Sequence, residues 1–278
     1  MEMYFFLKVF SLYLRNAPTF AYKITYKIIY SLLFHVLKMR QKTVLTNLRW
    51  AFPDKNEEWY NNTMKHCYKF FTKEFLDFIS FPKNYSSSKI KFKNLEVLSS
   101  AHAMKKGIIL VGSHYGSFDK LFYALSQEEY NLTGVAYKQN NSGADIFFKQ
   151  IRENFMEDQL YKGGDVKQLK NSLVKNNILI LLSDQDAKKK GVKAKFFGID
   201  SSTHSGAAIL SKRNKSPIIY VSITSKNNIY EVEFVKINTS GSINDIVQQY
   251  TSEIEKTIIN NPEQYFWFHK RWKSVKAY

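Results

Sequence analysis

Four short apolar runs do most to limit what this chain can become: IILVG at 108–112, LTGVAY at 132–137, ILILLS at 178–183 and IIYVSIT at 218–224. Each is predicted as a strand, and helical stretches separate most of them. Strand alternating with helix implies an α/β fold, a single domain with a mostly parallel central sheet flanked by helices. In such sheets ligands bind beyond the carboxyl ends of the strands, so the residues just after the first three runs are the ones to read for chemistry. The chain of 278 residues is 44% hydrophobic, enough to bury one sizeable core.

Ahead of the strands, the segment from Glu57 to Ile79 places apolar and aromatic residues at helical spacing. The loosest stretch follows, FPKNYSSSKIKFKN from Phe81 to Asn94, and is the candidate boundary. Met1 to Leu14 is apolar but carries Glu2 and Lys8, lacks a basic start and has no small-residue cleavage site, which argues against a secretory signal. Phe20 to Leu37 approaches the length of a membrane span, yet Lys23 and Lys27 lie one helical turn apart on one face. A helix lying in the membrane interface fits that pattern better than one crossing it, and an amphipathic helix packed on the protein's own core fits equally well. The expected organisation is residues 1–40 as N-terminal membrane-associated helices and residues 41–278 as the main domain.

Charge narrows the partners. Forty-one Lys and Arg against 24 Asp and Glu give +17, a field that attracts nucleic acid, anionic headgroups or an acidic carrier protein. Aromatics make up 16% of the chain, a load suited to a lipid interface, and no nucleic-acid-binding signature accompanies the charge. Cys67 is the one cysteine, so no intrachain disulfide forms and a reducing, cytoplasmic-side location is the default.

After the first strand comes G-S-H-Y-G-S-F-D, with His114 in the strand-to-helix turn and Asp119 near the start of the next helix. A histidine can take a proton from an alcohol near neutral pH, and a carboxylate on its other ring nitrogen fixes the tautomer and stabilises the imidazolium. The spacing is weak alone. On the residues by themselves, a turn histidine and a helix-capping aspartate are an equal alternative.

The blocks around this motif carry a resemblance. H-x-x-x-x-D after a Gly-containing apolar strand resembles the glycerolipid acyltransferase superfamily. NLRWAFPD at Asn47 to Asp54, GIILVGSHYGSFD, VAYKQNN with IRENF, LLSDQD with KKGVKAKFFG, the Thr203 to Gly206 segment and PEQYFWFHKRWK from Pro262 are similar to its lipid A late acyltransferase branch, the lauroyl and myristoyl transferases of Gram-negative bacteria. The likeness runs from about residue 40 to the end. The F-P-E-G-T-R-S type motif of glycerol-phosphate and lysophosphatidate acyltransferases is absent, which fits the lipid A branch. The chain is shorter than many enzymes of that branch, and related enzymes that acylate other glycolipids share these blocks.

The resemblance implies an acyl donor that is an acyl carrier protein thioester or acyl-CoA, a phosphorylated glycolipid acceptor, no cofactor, and a place on the cytoplasmic face of the inner membrane. His114 would deprotonate the acceptor hydroxyl with Asp119 orienting it, and turn amides near Gly116 would meet the oxyanion. Arg152 would clamp an acceptor phosphate, or be a solvated helix charge. Tyr137 and Lys138, closing the second strand, would meet a phosphate or the acidic donor, the alternative being a snorkelling lysine. Asp184 and Asp186 would orient Arg152 or a basic neighbour, and without further ligands they are not read as a metal site. The Lys188 to Lys190 run reads as a solvated loop. His269, set among aromatics, and Cys67, set in a helical aromatic pattern, read as packing residues. The rivals are a nucleic-acid-binding protein and a lipid-binding module without catalysis.

Overall fold

The protein is described by a computed structural model covering residues 1–86, 88–226 and 229–278. Its strands are β1 Lys89–Lys93, β2 Ile108–Gly112, β3 Leu132–Ala136, β4 Asp158–Tyr161, β5 Ile178–Leu182, β6 Val192–Phe196, β7 Ile199–Thr203, β8 Ile218–Lys226 and β9 Ile229–Ile237. Its helices are α1 Glu2–Asn16, α2 Thr19–Ser31, α3 Gln41–Ala51, α4 Glu57–Ile79, α5 Leu95–Ala103, α6 Phe118–Gln127, α7 Ser142–Arg152, α8 Val166–Val174, α9 Gly206–Asn214 and α10 Ile243–Asn260.

Seven strands form one sheet in the order β1-β9-β8-β2-β5-β3-β4, parallel throughout except for β8 with β9. The four apolar runs are β2, β3, β5 and β8. Strand β2 is buried along its whole length, and its alternating side chains divide the core: Ile108 and Leu110 join one hydrophobic cluster, Ile109 and Val111 the other. A central strand covered on both faces needs apolar residues on both, which is why it reads as an unbroken run. The remaining strands were not among those runs, for the converse reason. β1 (KIKFK) is an edge with alternating exposure, β9 alternates charge with apolar residues, and β6 and β7 make a separate antiparallel hairpin.

The Phe81 to Asn94 stretch departs from its reading as a boundary. Phe81 and Tyr85 are buried in the cluster that holds Leu110, and β1 extends the sheet beside β9, so the segment is part of the fold. Ser87 lies outside the described residues. At the N-terminus, Leu7 and Leu14 of α1 enter the same cluster, and Ser11 Oγ donates to Ile79 O at 2.6 Å. Helix α2 buries no residue completely and leaves Phe20, Ile24 and Ile28 exposed beside Lys23 and Lys27. Among the described residues no helix is long and apolar enough to cross a membrane.

Candidate active site

The register of two parallel strands builds the centre of the site. Gly112 of β2 stands opposite Leu182 of β5, and Ser183 N–H continues the ladder to Gly112 O at 3.0 Å. Two residues beyond each strand end come His114 and Asp184, and His114 Nδ1 lies 2.8 Å from Asp184 Oδ1. The carboxylate is sealed inside while the imidazole is about a quarter exposed, its side chain 26% accessible.

The His turn is pinned from behind by the C-terminal segment. Phe266 N–H donates to His114 O at 2.9 Å, and Gly116 N–H donates to Gln264 O at 2.8 Å. Gly116 has φ +62°, and a Cβ there would sit 1.8 Å from the Ile223 carbonyl oxygen, so only glycine fits. With its N–H spent on Gln264, Gly116 is itself excluded from the turn amides expected near it to meet an oxyanion.

Burial opposes a charge on His114, but the field and hydrogen bond of Asp184 outweigh it and raise the imidazole above its ordinary pKa. Burial likewise opposes a charged Asp184, and here His114 prevails, holding the carboxyl well below the usual carboxylate range. Asp119 lies in the first turn of α6 on the wall of the same cleft. Burial pushes it up to about 6 against the pull of Arg152 and His114. The carboxylate hydrogen-bonded to His114 is therefore Asp184, set by strand register, while Asp119 acts on the imidazole through its field.

The cleft has a volume of about 530 Å³ and opens at the carboxyl ends of β2, β5, β3 and β4. His114, Asp119 and Arg152 share it with an apolar floor that includes Phe118, Phe122, Met156 and Ile180. Arg152 donates to Gln159 Oε1 at 3.1 Å and lies 5.4 Å over the Phe78 ring, leaving the guanidinium without a hydrogen-bonded carboxylate. Tyr137 lines the cleft, whereas Lys138 is exposed and away from its walls. Asp186 turns elsewhere: it accepts from Ser274 N–H at 2.9 Å and Ser274 Oγ at 2.6 Å, fastening the C-terminal segment. Lys188 to Lys190 form one exposed 3-10 turn. Cys67 is buried with its thiol pushed up by burial, as befits a core residue.

Three cleft residues were given no individual role in the sequence reading. Lys162 donates to Tyr137 Oη and lies 3.0 Å from His204 Nε2, and Gln185 Nε2 is 3.5 Å from His114 Nε2. Burial and the neighbouring Lys162 depress His204 to about 4, keeping it neutral. Lys162 follows β4, whose short polar sequence hid both the strand and the site position after it.

The family described as bacterial lipid A biosynthesis acyltransferase matches residues 2–274. A lipid A biosynthesis palmitoleoyltransferase of Escherichia coli (strain K12) is 25% identical over 190 residues, covering 66% of this chain and 61% of that protein. A lipid A biosynthesis acyltransferase of Shigella flexneri is similar to the same extent, 25% over 190 residues. The aligned stretch thus spans 61% of the length of each of these relatives.

Proposed function

The chain belongs to the bacterial lipid A biosynthesis acyltransferase family, and from that premise we propose that it transfers a fatty acyl group from an acyl carrier protein thioester, or acyl-CoA, to a hydroxyl of a lipid A precursor or related phosphorylated glycolipid. The observation that carries this reading is the His114–Asp184 pair at the head of a cleft with an apolar floor and cationic walls. With Nδ1–H committed to Asp184, the Nε2 lone pair is available to the cleft. Nε2 takes the acceptor's hydroxyl proton as the oxygen bonds to the thioester carbon. The tetrahedral centre collapses, the C–S bond breaks, and the departing thiolate receives that proton from the imidazolium. Asp119 helps balance the imidazolium, and the cations Arg152 and Lys162 meet phosphate on the acceptor or the carrier's prosthetic arm.

We also place the protein on the cytoplasmic face of the inner membrane, held by the outward sides of α1 and α2, where Phe5, Phe6, Val9, Phe20, Ile24 and Ile28 are exposed. Lys23 and Lys27 add about 1 kcal/mol each at an anionic surface, too little to anchor it without the apolar side chains. Replacing Phe5, Phe6 and Val9 together by serine should abolish most liposome flotation at high salt, and unchanged flotation would move the contact elsewhere. The function itself is tested by incubating the protein with acyl carrier protein thioester or acyl-CoA and a phosphorylated lipid A precursor. Mass spectrometry should find one added acyl chain, and no transfer from either donor would overturn the assignment.

A further inference from the structure

The catalytic pair has a buried neighbour that the mechanism above leaves unused. Asp184 offers Oδ1 to His114, but its Oδ2 is sealed from solvent with no hydrogen-bond partner among the described residues, and so are both ring nitrogens of His269. The His269 ring centroid is 6.4 Å from that of His114, and Asp184 and His269 act on one another electrostatically. Unpaired buried polar atoms are costly, and a carboxylate beside an imidazole donor is the pairing that relieves both.

We propose that His269 is a positioning residue of the acyl transfer site, its ring N–H holding Asp184 Oδ2 so that Oδ1 stays aimed at His114. The proposal rests on the acyltransferase reading for its kinetic consequence, and the contact is inferred from two neighbouring buried groups that are each left unpartnered. The backbone is arranged to keep the ring in place: Asn47 Nδ2 donates to both Trp267 O and His269 O, each at 2.8 Å, and Phe266 N–H donates to His114 O. Burial drives His269 down to about 4, so it is a neutral imidazole with one N–H to give. The other ionisable groups facing this cluster do not compete for Oδ2. Arg271 gives both terminal nitrogens to Ser202 O, Ser201 Oγ and Thr203 Oγ1 and keeps only Nε unpartnered, Tyr265 Oη approaches the Asp184 carbonyl at 3.5 Å, and Asp119 and Lys162 act on His114 from the cleft side.

Removing the donor concentrates the carboxylate's charge on His114 and frees its orientation. His269→Phe should therefore lower kcat about tenfold with both KM values unchanged, and move the acid limb of the pH–rate profile to higher pH. His269→Gln, which keeps an N–H, should recover most of both. Equal impairment of the two variants, or a Phe variant with the parent's kcat and limb, would overturn the proposal. A second measurement needs neither turnover nor a His269 variant. In the full chain with its six histidines 15N-labelled, Asp184→Asn should shift the ring resonances of His114 and His269 most, with a smaller response at His204, which also feels the Asp184 charge. Movement of His114 alone would refute the contact. If the parent transfers no acyl group yet both rings respond, the functional assignment fails and the His269 contact stands.

Discussion

Two clusters of buried ionised groups lie close to the His turn, and they are satisfied to very different degrees. In one, Lys120 of α6 donates to Glu74 Oε2 at 3.1 Å, to Asp77 Oδ2 at 2.7 Å and to Tyr230 Oη at 2.8 Å, using all three of its protons. Asp77 is further met by Tyr22, Lys73 and Asn84. In the other, Asp184 keeps one oxygen unpaired and His114 turns a ring nitrogen toward the cleft. A network in which the buried cation's three protons and both Asp77 oxygens are engaged ties helices together and leaves little to give a substrate. Unspent capacity at buried groups is what separates the chemical site from its structural neighbour.

The comparison predicts opposite losses on the two sides. His114→Ala should cut kcat/KM for acyl transfer by about 10²–10⁴-fold while leaving the urea midpoint near that of the parent. Lys120→Met should do the reverse, costing about 3 kcal/mol in urea unfolding because Asp77 and Glu74 lose their buried cation and keep only the part-exposed Lys73, while the folded fraction keeps its acid limb. Comparable rate losses in the two variants would erase the distinction. The Lys120 cluster also sets a pH window. Asp77 is held below the ordinary carboxylate value although burial opposes it, so its stabilisation is present above about pH 4 and is lost as pH falls through the folded value. Lys120, raised by Glu74 and Asp77 against burial, contributes fully below about pH 10 and loses that contribution as pH climbs through its folded value.

Within the chemical cluster, the effects become smaller and more specific. His114 must be neutral to act, so kcat/KM should rise with pH through its raised pKa. Asp184→Asn removes the charge that raises it, and should shift that limb to lower pH while lowering the plateau. A limb that stays in place would mean Asp184 does not act on the base. Arg152, whose hydrogen-bond partner is the neutral Gln159, should be free to read a ligand as Lys120 is not. Arg152→Ala is expected to raise KM for a phosphorylated acceptor about tenfold and to change it little for the dephosphorylated one. The same loss with both acceptors would assign Arg152 to the fold.

The sequence made the central sheet legible because β2, β3, β5 and β8 are buried enough to be written in apolar residues. The edge strands β1 and β4, half-exposed and polar, were hidden by the same rule. His114 was readable from its place after a strand, and so was the region of Asp184. Their union was not, since it depends on Gly112 facing Leu182 across strands that are far apart in the chain. Local spacing pointed to Asp119 instead, which reaches the same cleft from α6. His269 was concealed for a related reason: among Tyr265, Phe266 and Trp267 it has the look of a packing residue, and nothing local places it beside a carboxylate.

The grip of the C-terminal segment on the His turn also has a consequence for how the protein is made. A ribosome delivers the turn at Ser113 to Ser117 well before the residues whose backbone holds it, since Gln264 and Phe266 emerge only after the whole sheet has been synthesised. A nascent chain stopped after β9 would possess every strand of the sheet, together with His114 and Asp184, and still lack the clamp that gives the turn its shape. On the proposed function, a chain interrupted there would hold the His114–Asp184 pair without the backbone bonds that shape its turn.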